Sequence, residues 1–293
     1  MSVGCDLCPR RCGVVRGETG GGWCGMGSRA RVAKAMLHYG EEPCLSRSGG
    51  SGAVFFCGCP LRCVYCQNYP ISWDRPNRYG RLYAVDELAD AFRSLESCGA
   101  RNINLVGAAP FLRVVIDALR LADPGIPVAY NTSGYETLET IAALEGLIDI
   151  YIPDYKYSSP DTARLLSSAS DYPKTARAAI LAMRGQTGPA VYDTDGLMLR
   201  GTLVRHLILP GHIRESVQSL NWLAENLPPG TPVSLMGQFT PSARSSQFGM
   251  DKPLSRNAYR YVKAHRAAIG LTDGYNQSPD ASGESMIPKW DEE

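Results

Sequence analysis

Residues 52–72 read GAVFFCGCPLRCVYCQNYPIS: a short apolar, β-rich run feeds directly into a loop carrying Cys59, Cys63 and Cys66 in CxxxCxxC spacing. A strand that delivers three thiols to its carboxyl end gains its meaning from the element after it. That next stretch, AVDELADAFRSLESCG, has helical spacing, with Asp86 near its start and Gly99 at its end. The alternation then repeats. NINLVG precedes FLRVVIDALRLA, IPVAYNTSG precedes TLETIAALEG, and IDIYIPDYK precedes two helical patterns between Asp161 and Met183. TLVRHLILPG precedes ESVQSLNWLAENL, and PVSLMGQF precedes SRNAYRYVKAHRAAIG. Six strands that are apolar without strict alternation, each followed by a helix, imply a parallel sheet covered by helices.

That pattern predicts an α/β fold, an open or partial (β/α)6 barrel, with a doubly wound sheet as the alternative of equal periodicity. In both architectures chemistry gathers at the carboxyl ends of the strands. Here those ends read CGCPLRC, VGAAP, NTSGY, PDYK, RHLILPG and MGQFTP. Three segments are expected: 1–48 as a Cys-, Gly- and Arg-rich, loop-dominated cap, 49–270 as the barrel, and 271–293 as a tail without periodicity.

Bulk composition narrows the function. A length of 293 residues suits one barrel of about 250 residues. A net charge of +1 supplies no basic field for nucleic acid, which is therefore not expected as a partner. No stretch reaches the roughly 18 apolar residues of a membrane span, and no leader pattern opens the sequence, so a cytoplasmic protein is expected. Thiols in a reducing compartment hold metal or do chemistry more often than they pair. Nine of the ten cysteines fall at or before Cys66.

Three thiolates on one tight loop suit a cubane iron–sulfur cluster with one iron left open, whereas structural zinc is normally closed by four ligands. Zinc completed by Cys57 or a distant residue is the competing reading. Cys5, Cys8, Cys12 and Cys24 form a second set with the full count of four, as zinc or as another iron–sulfur cluster, with free thiols as the remaining alternative. Cys57 reads as neighbouring packing, and Cys44 and Cys98 as buried small hydrophobes.

The CxxxCxxC loop, with the aromatic Tyr65 before its last cysteine, resembles that of the radical S-adenosylmethionine (radical SAM) superfamily. CDLCPRRCGVVRGETGGGWCG, EEP, CQNYPIS, NTSGY, DIYIPDYKY, RHLILPG and SLMGQF together resemble a family related to pyruvate formate-lyase activating enzyme. The resemblance implies a partial barrel and a [4Fe–4S] cluster on Cys59, Cys63 and Cys66. It also implies reductive cleavage of S-adenosylmethionine to a 5′-deoxyadenosyl radical that abstracts hydrogen from a substrate.

By the same resemblance Tyr65 contacts the adenine, with packing under the loop as the alternative, and Lys156, two residues from Asp154 on one strand face, pairs with the methionine carboxylate, with an internal Asp154–Lys156 ion pair as the alternative. Asn131 and Gln238, at later strand ends, are candidates for ribose or carboxylate. A reductant such as flavodoxin or ferredoxin is implied as a partner. The substrate is either a protein of the glycyl-radical type or a small metabolite; a non-catalytic iron–sulfur or zinc protein for electron transfer or binding is the third alternative. One departure stands out: the acidic residue often found after the second strand is missing from LVGAAP, leaving Gly107 and Ala108 to offer backbone groups. His206 is a candidate for proton handling, with a satisfied core histidine as the alternative, and Arg205 on the opposite face is expected to reach a carboxylate.

Overall fold

The computed structural model describes residues 4–18, 20–74, 77–281 and 289–290. Strands β1 (Ala30–His38), β2 (Ser51–Phe56), β3 (Arg81–Tyr83), β4 (Ile103–Val106), β5 (Val128–Thr132) and β6 (Ile150–Pro153) occupy the first half. β7 (Val191–Tyr192), β8 (Met198–Thr202), β9 (Val204–Leu207), β10 (Val233–Met236) and β11 (Gly274–Gln277) occupy the second. The helices are α1 (Val85–Ser97), α2 (Leu112–Ala122), α3 (Leu138–Ala143), α4 (Pro160–Ser167), α5 (Tyr172–Thr187), α6 (Ile213–Asn226), α7 (Ala243–Ser246) and α8 (Arg256–Ala268).

All six strands expected from the alternation form, and they run parallel to one another. β2, β4, β5 and β6 pair in that order, and β9, β10 and β11 form a second parallel set. A single bridge, Asp154 to Arg205, joins β6 to β9. Residues from β2, β4, β5, β9, β10 and β11 all line one cavity, so the two sets form a curved, partial barrel wall.

Its packing follows from the sequence pattern. β2 is buried along its whole length, because apolar groups meet both the barrel interior and the covering helices. α1 buries Leu88, Ala89, Phe92 and Leu95 at helical spacing, and its first turn is closed by Glu87, whose Oε2 accepts from Ala84 N–H at 2.7 Å. Leu61, Cys63 and Tyr65 of the cysteine loop belong to a second core with Tyr135, Tyr155, Tyr157 and Tyr172, so the loop is part of the packed interior.

Two expectations need correction. The segment to residue 48 is not all loop: Ala30–His38 forms β1, antiparallel to β2, with Ala30 and Val32 buried. Its VAKAML run is too mixed to show period-2 burial, and pairing with the buried β2 makes it a strand. The tail likewise contains β11, whose backbone pairs parallel with β10 from Val233–Gly274 to Met236–Gln277. Trp290 returns to stack edge-on against Phe55, with centroids 5.4 Å apart. The rest of that segment, 282–288 and 291–293, lies outside the described residues.

Candidate active site

A cavity of about 520 Å³ runs through the barrel. Cys59, Cys63 and Cys66 line it together with Tyr65, Asn131, Asp154, Lys156 and Gln238, so the expected cluster and cofactor residues meet in one place. The thiols sit at the carboxyl end of β2, on a loop drawn tight by Cys66 N–H to Cys63 O at 3.1 Å and pinned from outside by Val64 N–H to Leu166 O at 2.9 Å. Burial pushes the Cys59 thiol well above its usual range, and nearby Cys63 and Cys66 add to the shift. Burial, then Cys63, raises Cys66 to about 11. Cys63 is raised by burial, with Lys156 opposing most strongly. Such thiols ionise when a metal supplies the countercharge.

This donor set fits an open-sited cluster. Among the described residues no three His, Cys, Asp or Glu side chains close around a single metal ion. In a cubane each thiolate serves a different iron, so the sulfurs need to surround a larger object. The adjoining cavity gives that object and a bound cofactor room.

Lys156 Nζ lies 2.5 Å from Asp154 Oδ2, with side-chain exposures of 17% and 24%. Burial pushes the ammonium's pKa down, but Asp154 and then Cys63 push it further up, so Lys156 stays charged. The end of β6 is held by Tyr172, whose hydroxyl accepts from Lys156 N–H at 3.0 Å and donates to Asp154 O at 2.7 Å. Gly134 makes this approach feasible: its φ is +76°, and a Cβ there would meet Asp154 O at 2.2 Å. Tyr65 lines the cavity while its hydroxyl lies 2.6 Å from that of Tyr157. Gln238 has a buried Oε1 without a hydrogen-bond partner among the described residues. Gly107, in the stretch that lacks an acid, also lines the cavity, and its N–H is spent on Asn131 O at 3.0 Å. Ala108 is buried beneath it.

Sequence reasoning gave Glu41 and Glu42 no role in the site. β1 runs antiparallel to β2, so the loop after His38 enters at the amino end of the parallel strands and carries both carboxylates into the cavity's inner end. Arg205 Nε donates to Glu42 Oε1 at 3.0 Å, and Nη2 donates to both glutamates. Glu41 Oε1 accepts from Asn104 Nδ2 at 2.8 Å and from Asn131 Nδ2 at 3.5 Å. Burial opposes ionisation of Glu42, yet the Arg205 guanidinium holds its carboxyl below the usual range. The carboxylate expected for Arg205 is therefore a pair. The signal in the sequence was the EEP stretch, which counted toward the family resemblance without a role for either acid.

His206 does not join the site. It is 1% exposed and absent from the cavity wall; its Nδ1 lies 2.6 Å from Tyr155 O and its Nε2 2.9 Å from Ser216 Oγ on α6. Strand alternation turns Arg205 inward and His206 toward the helices, and burial lowers its pKa. It is the satisfied core histidine. Cys57 is buried beside Tyr79 O at 3.6 Å, and Cys44 is 1% exposed, but Cys98 is exposed at the end of α1, because the chain turns outward there toward Gly99.

Of the N-terminal thiols, Cys8 lies near Glu136 of the cavity wall. Burial pushes Cys8 up to about 12, with Glu136, Cys24 and Cys5 close enough to add to the shift, and Cys24 in turn is raised by burial with Cys5 and Cys12 adding to it. Gly22, at φ +67°, gives Cys12 its place, since a Cβ there would lie 2.7 Å from Cys12 Sγ. This segment clamps onto the first thiol loop. Arg10 Nε donates to Pro60 O at 2.8 Å, and the guanidinium groups of Arg10 and Arg62 lie over the Trp23 ring, at 4.2 and 4.1 Å from its centroid.

The sequence pattern of the radical SAM superfamily matches residues 53–222, more than half of the chain. An uncharacterized protein of Methanocaldococcus jannaschii is 28% identical over 280 residues, covering 93% of this chain and 75% of that protein. Among solved structures, a radical SAM methyltransferase from Sphaerobacter thermophilus superposes with a TM-score of 0.52 at 16% identity, covering 79% of this chain and 68% of its own. SuiB of Streptococcus suis, bound to the precursor peptide SuiA, superposes with a TM-score of 0.51 at 12% identity over 79% of this chain. The chain spans about half the length of SuiB, at 51%. Both likenesses bear on the fold. No helix among the described residues is long and apolar enough to cross a membrane.

Proposed function

The chain belongs to the radical SAM superfamily, and from that premise we propose that Cys59, Cys63 and Cys66 hold a [4Fe–4S] cluster whose open iron faces S-adenosylmethionine in the barrel cavity. When bound, the pair supplies reductive cleavage to a 5′-deoxyadenosyl radical and hydrogen abstraction from a substrate. The observation that carries this reading is the meeting of three buried thiols and Lys156 on one cavity wall.

The chain's own residues bind and orient. Lys156 offers an ammonium to a carboxylate, with Asp154 fixing its direction. Tyr65 presents an aromatic wall suited to adenine, and Gln238 Oε1 and Asn131 offer amide groups to ribose or carboxylate. The barrel walls shield the cavity from water. A one-electron reductant of the flavodoxin or ferredoxin class supplies the electron.

Cys5, Cys8, Cys12 and Cys24 are proposed as a second metal site, zinc or iron–sulfur, on their count of four and their CxxCxxxC spacing; they do not surround one ion in this structure, and the Arg10–Trp23–Arg62 contacts tie their segment to the cluster loop. Two substrate readings remain from the resemblance to activating enzymes. A protein partner would dock at the rim; SuiB, which shares the fold, is itself bound to a precursor peptide. A small polar molecule is favoured by the Glu41, Glu42 and Arg205 groups at the cavity's inner end, where a docked backbone has little use for charge.

The test is 5′-deoxyadenosine formation under anaerobic conditions, after cluster reconstitution, reduction and addition of S-adenosylmethionine. Wild type is expected to form it and the Cys59/Cys63/Cys66→Ala triple variant is not. No product from a wild type with a full, reducible cluster would transfer the reading to electron transfer or binding without catalysis.

A further inference from the structure

A serine 104 positions away in sequence touches one cluster cysteine. Ser167, the last residue of α4, donates from Oγ to Cys63 Sγ at 2.9 Å. Ser167 and Tyr157 are 0% exposed, so water does not compete for this contact. The Tyr157 hydroxyl lies 2.6 Å from Ser167 Oγ and 2.6 Å from the Tyr65 hydroxyl, making a chain from the aromatic wall of the cavity to the sulfur.

The geometry is fixed from three sides. Val64 N–H donates to Leu166 O at 2.9 Å, which ties the cysteine loop to the helix end one residue from each partner. Ser168 ends the helix in the left-handed region at φ +54°. Arg10 Nη2 donates to Ser167 O at 3.4 Å, so the N-terminal cysteine segment holds the same residue.

We propose that Ser167 is a positioning residue that sets the reduction potential of the cluster, by hydrogen-bonding one of its thiolates, with Tyr157 holding the hydroxyl in line. The proposal rests on the cluster assignment made above. With Cys63 as a thiolate ligand, the Ser167 proton points at sulfur, and the Tyr157 hydroxyl, which donates to Tyr65, sits 2.6 Å from Ser167 Oγ and fixes its place. One-electron reduction adds negative charge that is shared with the cysteine sulfurs, so a donor aimed at sulfur stabilises the reduced form more than the oxidised form. In a dry, low-dielectric setting that preference is strengthened. Neither Ser167 nor Tyr157 lines the cavity, so each acts through another residue.

The experiment is a potentiometric titration of the reconstituted holoprotein followed by electron paramagnetic resonance, with iron and sulfide content measured on each sample. Ser167→Ala is expected to lower the reduced-to-oxidised ratio at fixed potential about tenfold, which is about 59 mV for one electron. Ser167→Thr keeps a hydroxyl and is expected to titrate with wild type, while Tyr157→Phe shifts in the same direction by less. Coincident titrations of wild type and a fully loaded Ser167→Ala would overturn the proposal.

If Ser167→Ala does not retain its iron, deuteron ENDOR of the reduced protein in heavy water decides. An exchangeable deuteron coupled to the cluster, kept in Ser167→Thr and altered in Tyr157→Phe, is expected. Identical spectra for wild type and Tyr157→Phe would overturn it. A wild type with no cubane signal would instead remove the cluster assignment, which is a separate failure.

Discussion

Arg205 and His206 are adjacent on β9 and lead opposite lives. Arg205 meets two carboxylates inside the barrel, with side-chain exposures of 13% for the arginine and 8% and 9% for Glu41 and Glu42. Removing one member of a buried charge network leaves the others uncompensated, at about 3–5 kcal/mol. Arg205→Leu is therefore expected to lower unfolding free energy by about that amount in urea, and adding Glu41→Gln and Glu42→Gln to recover part of it. A triple variant no more stable than the single would refute the network. His206 tests the other face. Burial lowers its folded pKa below the ordinary 6.5, so the unfolded chain binds the proton more readily. Stability is then unaffected by this group above pH 6.5 and falls as pH drops through 6.5 toward the folded value. His206→Gln should show a shallower loss of stability between pH 7 and pH 5 than wild type, measured by denaturant midpoints (about 1.4 kcal/mol per unit of pKa difference).

At the scale of elements, what the sequence revealed and what it concealed divide by whether the signal is local. β2, β4, β5, β6, β9 and β10 announce themselves as short apolar runs before helices, and the thiols and Lys156 sit where those runs end. β11 does not, because GYNQ has no apolar run and becomes a strand only through its partner: β10 offers a free edge, and Arg266 holds the turn by donating to Asp273 O at 2.6 Å and Tyr275 O at 2.8 Å. The role of Glu41 and Glu42 was concealed for the same reason, since it depends on β1 reversing direction against β2. Gly274 exposes the logic of the late strand. Its φ is +103°, and a Cβ there would lie 2.3 Å from Val233 O. Gly274→Val is expected to cost about 1–3 kcal/mol and to speed hydrogen exchange at Val233–Met236 more than at β4. Uniform exchange across both strands would refute a local effect.

At the scale of the whole molecule the two thiol sets divide the labour of folding unequally. The barrel has three apolar clusters of its own, one of which includes Leu61, Cys63 and Tyr65, so the first loop is held in place by packing as well as by any metal. The segment before β1 has little such support: among its described residues Cys24 and Met26 are buried in a core and Leu7 packs against it. Its backbone is instead organised around thiols, with Gly13 N–H donating to Cys5 O and Arg11 N–H to Cys8 O, both at 3.0 Å. A metal bound there contributes its binding energy to folding of that segment, whereas one bound at Cys59, Cys63 and Cys66 lands on a preformed wall. Chelation should accordingly open the chain in two stages. Limited proteolysis of metal-stripped protein is expected to cut first between residues 4 and 29, leaving a resistant fragment that begins near β1. Replacing Cys5, Cys8, Cys12 and Cys24 with Ser should reproduce that cleavage without chelator, while replacing the other three cysteines should not. Equal resistance of the quadruple variant and the metal-loaded wild type would mean that the contacts with Pro60, Pro110 and Thr140 are sufficient to hold the segment.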